Sequence, residues 1–186
     1  MVKNDPHVKE ARRHMQKTID VFKEELGGIR AGRVSPTLIE KVEVMAYGQP
    51  MELRQVALIS VQGSTTLVVQ PFDQSTHDAI FKALEMANLG AMPTSDGRII
   101  RINFPPMSQE RRAEMIKIVH KFAEEAKVAI RNIRRELNKQ VDAKQKDGEY
   151  SEDQARRVKD EIQKVTDEFI SKIDEMVKHK EQEIME

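Results

Sequence analysis

Lys146-Asp147-Gly148-Glu149-Tyr150-Ser151-Glu152-Asp153-Gln154 separates two long amphipathic stretches, and its reading decides the architecture. The first half is a polar turn built around a glycine. The second half is a capping box: the Ser151 hydroxyl and the Gln154 side chain each satisfy a backbone N–H that the start of a helix leaves orphaned. Downstream, Ala155, Val158, Ile162, Val165, Phe169, Ile173 and Met176 recur at spacings of three and four, which lays one apolar stripe along a helix. Upstream, a helix capped by Ser108 begins after Pro105-Pro106. It carries Met115, Val119, Phe122, Ala126, Ala129, Ile133 and Leu137 on one face and is expected to run to about Lys144. A connection this short makes the two helices antiparallel neighbours, each roughly 50 Å long at 1.5 Å per residue.

Two such helices leave apolar surface uncovered, and the N-terminal segment supplies the third member. Val8, Ala11, Met15, Ile19, Phe22 and Leu26 keep the same spacing. Asn4 or Asp5 suits the N-cap, Pro6 suits the first turn, and Gly27-Gly28 marks the expected end. Between residues 31 and 104 the period changes to two. Strands are expected at 39–44, 56–61, 66–69 and 99–102, with turns at Tyr47-Gly48-Gln49-Pro50, Gln62-Gly63-Ser64 and Ser95-Asp96-Gly97. One helix fits from about Thr76 to Leu89, ended by Gly90. The fold class is therefore α+β: an antiparallel three-helix bundle (1–30 plus 106–186) with a small β/α/β domain (31–105) inserted between helices one and two. The chain crosses between them twice, and Gly32, Ser35, Phe104, Pro105 and Pro106 are the expected hinge residues.

Composition narrows the function. The 186 residues include no cysteine, so disulfides, thiolate metal sites and cysteine nucleophiles are excluded. The N-terminus has neither a secretory apolar run nor the bias of a transit peptide, and no stretch approaches the ~20 apolar residues of a membrane span. A cytoplasmic protein that needs no membrane is expected. The formal net charge is zero, but it is unevenly spread. Residues 111–139 hold nine Lys/Arg against four Asp/Glu, residues 140–186 hold nine against fourteen, and residues 1–34 hold eight against five. Screening beyond ~10 Å makes the local balance decide what a surface attracts.

The strongest candidate site lies in that basic stretch, at Val128-Ala129-Ile130-Arg131-Asn132-Ile133-Arg134-Arg135. At about 100° per residue, Lys127, Arg131, Arg134 and Arg135 form a stripe separate from the bundle face, with Glu125 and Glu136 on the far edge. Arginine forks suit phosphate, and few acidic neighbours stand at helical spacing, which favours polyanion binding over a merely solvated face. Arg30 and Arg33 flank Gly32 where helix one gives way to the insert, a setting that fits a phosphate contact and an ordinary helix exit equally. Catalytic readings find little support. His7, His14, His77, His120 and His179 show no metal-ligand spacing, and Ser60, Ser64, Thr65 and Thr66 lack a nucleophile-elbow setting. The ten methionines read as flexible core filler. The residues leave open a helical scaffold that binds a protein partner.

Several blocks together resemble the bacterial ribosome recycling factor family nearly end to end: Ile29-Arg30-Ala31-Gly32-Arg33, Tyr47-Gly48, Ala87-Asn88-Leu89-Gly90, Arg98 to Ile102, Pro105 to Arg112, Val128 to Arg135, and Ile162 to Asp167. The departures, such as Ala31 in place of the usual Thr, remove no basic side chain. The resemblance implies an L-shaped molecule and a non-enzymatic translation factor without a cofactor. It further implies that the protein enters the post-termination ribosome and, with elongation factor G and GTP, splits it into subunits. It also implies that Arg30, Arg33, Arg131, Arg134 and Arg135 contact large-subunit ribosomal RNA, and that the GTPase engages the insert. A monomer is expected.

Overall fold

The computed structural model describes residues 2–186. The chain forms two compact units, one holding the chain to Leu26 together with Ile116–Glu181, the other Gly27–Met115 together with Gln182–Glu186.

The first unit is built on three helices, α1 (Pro6–Gly27), α4 (Gln109–Lys146) and α5 (Glu152–Met185), the last two of which end or begin in the second unit. Asp5 caps α1: its carboxylate accepts the His7 N–H at 2.8 Å, with Pro6 at the first helical position. Ser108 caps α4 through the Arg111 N–H at 3.1 Å. The capping box of α5 is formed, Gln154 N–H donating to Ser151 Oγ at 3.1 Å and Ser151 N–H to Gln154 Oε1 at 3.0 Å. Between α4 and α5, Gly148 takes the left-handed conformation (φ 80°), and the Glu149 and Tyr150 N–H groups close on the Lys144 carbonyl.

Side-chain contacts mark the register. The Asp142–Lys159 and Lys127–Asp174 ion pairs and the His120–Glu181 contact step along α4 and α5 in opposite directions, as an antiparallel pair requires. Tyr150 bonds to Asp5, and Arg12 to Glu168, so α1 runs parallel to α5. The stripe of α1 is buried throughout, as is that of α5 except for Met176, which is partly exposed. The stripe of α4 differs in one respect from expectation. Ile130 is fully buried, whereas Phe122, Ala129 and Ile133 are only partly so. The buried face centres on Val119, Ala126, Ile130, Leu137 and Val141, turned a little towards α5.

In the second unit, β1 (Glu43–Ala46) and β2 (Gln49–Glu52) form a hairpin whose tip, Tyr47-Gly48, has two positive φ angles, 53° and 76°. Such a turn matches the twist of the strands. A single helical turn, α2 (Leu53–Val56), leads into β3 (Ala57–Gln62) and β4 (Thr66–Pro71). Then come α3 (His77–Met86), β5 (Pro93–Ser95) and β6 (Ile100–Asn103). The sheet order is β3-β4-β6-β5, all antiparallel. Leu67 pairs with Ile102 and Val69 with Ile100, and all four face a core shared with Leu53, Ile80, Leu84 and Phe104.

Three expectations for this unit need correction. Residues 39–42 are not strand: Ile39 is buried at the end of a 3-10 turn (Pro36–Leu38), and the strand starts at Glu43. Gln49-Pro50 belongs to β2, not to the turn. The helix of this unit stops at Met86, and Asn88 takes a left-handed φ of 52° before Gly90 is reached. No helix among the described residues is long and apolar enough to cross a membrane.

Candidate nucleic-acid interface

The cations of α4 fan out from the edge of its buried stripe, where Lys127 and Arg134 meet α5, to the solvent side, where Arg135 stands. Their partners decide how much of their charge is available. Lys127 Nζ lies 2.6 Å from Asp174 of α5, and its side chain is only 22% exposed. Arg134 donates to Gln163 Oε1 of α5 at 3.3 Å, and Gln163 in turn donates to Asp167. Arg131 is less isolated than its sequence neighbours suggest. Its guanidinium reaches Glu124, seven residues back, at 3.4 Å. Both of those side chains are well exposed (41% and 65%), and an ion pair of this length in water contributes at most about 1 kcal/mol, so a phosphate can compete for the guanidinium. Arg135 is exposed and forms no ion pair among the described residues.

Three lysines extend the ridge beyond the arginine run. Lys117, Lys121 and Lys139 are exposed and likewise without ion pairs among the described residues. Their signal was present in the sequence: eighteen residues make five turns at 3.6 residues per turn, which puts Lys117 in line with Arg135 and Lys121 in line with Lys139. Exposed Val128 lies between the two groups. The edge facing α1 is acidic: Glu125 lines a groove with Glu25, whose carboxyl is pushed up by burial and then by the Glu125 charge. The acidic edge thus borders the basic ridge, and Glu124 enters the ridge itself beside Arg131.

Arg30 and Arg33 belong to the second unit. Arg30 Nη2 donates to the Pro105 carbonyl, its guanidinium carbon sits 5.3 Å from the centre of the Phe104 ring, and its buried Nε has no partner. Burial, then repulsion from Arg111, lowers its pKa, and Arg30, still a cation, makes no ion pair among the described residues. An approaching anion would supply a counter-charge. Arg33 is exposed and makes no ion pair among the described residues.

The residues expected at the crossings all fall within the second unit. The Gly32 N–H donates to the Glu183 carbonyl at 3.0 Å, and a Cβ on Gly32 would stand 2.7 Å from the Glu186 carbonyl carbon. The glycine thus serves a close backbone approach to the end of α5. Ser35 caps the 3-10 turn by position, its hydroxyl bonded to that of Thr37. Phe104 is buried and donates its N–H to Thr65 at 2.8 Å, with Pro105 and Pro106 following it.

No group of three His, Asp or Glu side chains among the described residues could hold a metal ion. One cluster, around His77, has the outline of a catalytic set. His77 bridges Ser95 Oγ (2.6 Å) and Asp78 Oδ1 (2.9 Å), the connectivity of a hydrolase triad. Asp78 is wholly solvent-exposed, however, and Ser95 Oγ already accepts the Gly97 N–H at 2.9 Å. This arrangement caps a loop rather than activating a nucleophile.

Comparison with known proteins places this geometry. The chain is 46% identical over 179 residues to the ribosome-recycling factor of Symbiobacterium thermophilum, an alignment that covers 96% of this chain and 97% of that one. It is 49% identical over 178 residues to that of Carboxydothermus hydrogenoformans, covering 96% of each. A solution structure of the ribosome recycling factor superposes with a TM-score of 0.76 at 37% identity, covering 95% of this chain and 94% of that one. The Thermus thermophilus factor, in a structure that carries it with Escherichia coli elongation factor G bound to the E. coli post-termination complex, superposes with a TM-score of 0.68 at 42% identity, covering 97% of each chain. The family profile described as ribosome recycling factor matches residues 22–185. With matches that span both compact units and the basic ridge between residues 117 and 139, the chain belongs to the ribosome recycling factor family.

Proposed function

We propose that this protein is a translation factor that acts in the cytoplasm on ribosomes left after termination. With elongation factor G and GTP it splits them into subunits for reuse, GTP hydrolysis belonging to the partner. It acts as a monomer and grips large-subunit ribosomal RNA through the α4 ridge, with Arg30 and Arg33 as further phosphate contacts. The observation that carries this reading is the ridge itself, a line of cations on a stiff 38-residue helix in which Arg135, Lys117, Lys121 and Lys139 make no ion pair among the described residues and Arg131 makes only a solvent-exposed one. Phosphate is the anion such forks recognise best, and each contact formed releases condensed counterions. A rod held this way lets movement of the inserted segment (31–105) about the crossings at 32–35 and 104–106 act as a lever against the joined subunits.

The test is a splitting assay. Post-termination ribosomes, elongation factor G and GTP are mixed with this protein, and the fall in light scattering is followed. Subunits should appear only when all are present. Splitting at the same rate without the protein would remove the proposal.

A further inference from the structure

A second positive surface lies on the first unit, on the side formed by α1 and α5. Lys3, Lys9, Arg12, Arg13 and Lys172, with Gln16, border a shallow groove of about 490 Å³ whose floor is Val8 and Phe169. Lys172 Nζ stands 4.5 Å from the Phe169 ring centre, which holds its charge over the floor. Lys3 and Lys9 are exposed and make no ion pair among the described residues. Arg12 and Arg13 each hold one carboxylate, Glu168 and Glu10, but remain more than half exposed. Five cations thus meet two carboxylates. The basic surplus of residues 1–34 resides largely here, away from the α4 ridge.

We propose that this groove is a second RNA-binding surface, which takes a phosphate backbone along α1 while the α4 ridge holds another RNA segment. The inference rests on the proposed function, since it adds a second contact for the same ribosome-bound rod. Two features favour RNA over an acidic protein. The cations from Lys3 to Arg13 are strung over roughly 15 Å of chain at 1.5 Å per residue, an extended array suited to successive phosphates and not to one compact anion. The floor residues Val8 and Phe169 are almost fully buried (3% and 1% exposed), so the groove offers none of the protruding apolar anchors on which protein interfaces depend.

The experiment compares four proteins: the native chain; a groove variant, Lys9→Gln/Arg13→Gln/Lys172→Gln; a ridge variant, Arg131→Gln/Arg134→Gln/Arg135→Gln; and both combined. Binding to purified ribosomes and to protein-stripped ribosomal RNA is measured over a salt series. The groove variant gives up two to three phosphate-binding cations, so its slope of log affinity against log salt should fall by about 2, at roughly 0.7–0.9 per cation. The same fall should appear on stripped RNA, and the combined variant should add the two effects. Should only the ridge variant change, the inference fails and the proposed function stands. Should only the groove variant change, the ridge assignment fails instead. A groove effect on ribosomes that is absent on stripped RNA would assign the surface to a protein and overturn the inference. The three side chains are exposed, and if the triple variant nonetheless fails to fold, Lys9→Gln alone should lower the slope by about 0.8 on both targets, no change again overturning the inference.

Discussion

Removing the Tyr150 hydroxyl should loosen the start of α1 in a manner that depends on pH. Tyr150 Oη donates to Asp5 Oδ2 at 2.6 Å, and the His7 N–H and ring bond to Oδ1 at 2.8 and 3.1 Å. The Asp5 side chain is only 12% exposed, so few waters can replace a lost donor. Burial alone would raise the Asp5 pKa. The bonds from Tyr150 and His7 outweigh it and hold the carboxyl below its usual range. A hydrogen bond to a charged group contributes about 1.5–3 kcal/mol, so Tyr150→Phe should cost about 2 kcal/mol at neutral pH, or about 4–8 °C in Tm for a chain of this size. The sign of the pH dependence follows from linkage. A depressed folded-state pKa gives stability that is complete above the unfolded value of about 3.9 and fades as pH falls through the folded one. Once the carboxyl is neutral the bond contributes only about 1 kcal/mol, so the gap between native protein and variant should halve at low pH. Urea unfolding followed by circular dichroism at neutral pH and at an acid pH that protonates Asp5 measures both gaps. Equal gaps at the two pH values, or one below ~0.5 kcal/mol at neutral pH, would refute the assignment of this bond.

Other outcomes follow from the same geometry. Burial, then the bond to Asp5, pushes the Tyr150 phenol up to about 12. Near-ultraviolet titration of a chain with two tyrosines and no tryptophan should therefore show a late ionisation that Tyr150→Phe removes, with stability lost as pH rises from about 10 to about 12. Gly32→Ala sets a Cβ against the Glu186 backbone and should destabilise by about 1–3 kcal/mol in thermal unfolding, with much of the loss recovered when the chain is shortened to Met185. Ser151→Ala/Gln154→Ala removes both bonds of the α5 cap and should cost about 1–2 kcal/mol by the same measurement. Glu125→Gln relieves the like charge facing Glu25, whose raised pKa marks stability that is lost as pH rises. The variant should melt higher than the native chain at neutral pH, and the difference should vanish once both carboxyls are protonated.

The helical part of the fold was legible because its signals are local and repeated. Caps at Asp5, Ser108 and Ser151 sit beside stripes several turns long, and each cap formed. The insert was harder to read, since its short pieces owe their conformation to neighbours distant in sequence. Pro93–Ser95 is a strand because it lies against β6, and nothing in its three residues announces that. Gln49-Pro50 beside Gly48 carries turn chemistry, yet pairing with Met45 and Ala46 draws it into β2. At the candidate site the arginines were found by composition, whereas the partners of Lys127 and Arg134 lie on α5, where a helical wheel of α4 alone does not reach. Lys127 illustrates this: on the wheel it reads as a free basic residue, and in the fold it is tied to Asp174. Lys117, Lys121 and Lys139 stand outside the dense arginine run, and only a ridge followed over five turns collects them.

The claim on which the account rests is that the outer surface of α4 lies against ribosomal RNA. The chain has no cysteine, so Val128→Cys places a single thiol at the centre of the ridge, where a tethered iron chelate can generate hydroxyl radicals on the bound ribosome. Strand cleavage confined to large-subunit RNA around one site is the predicted result. A tethered complex that binds ribosomes normally yet cuts no large-subunit RNA would contradict it.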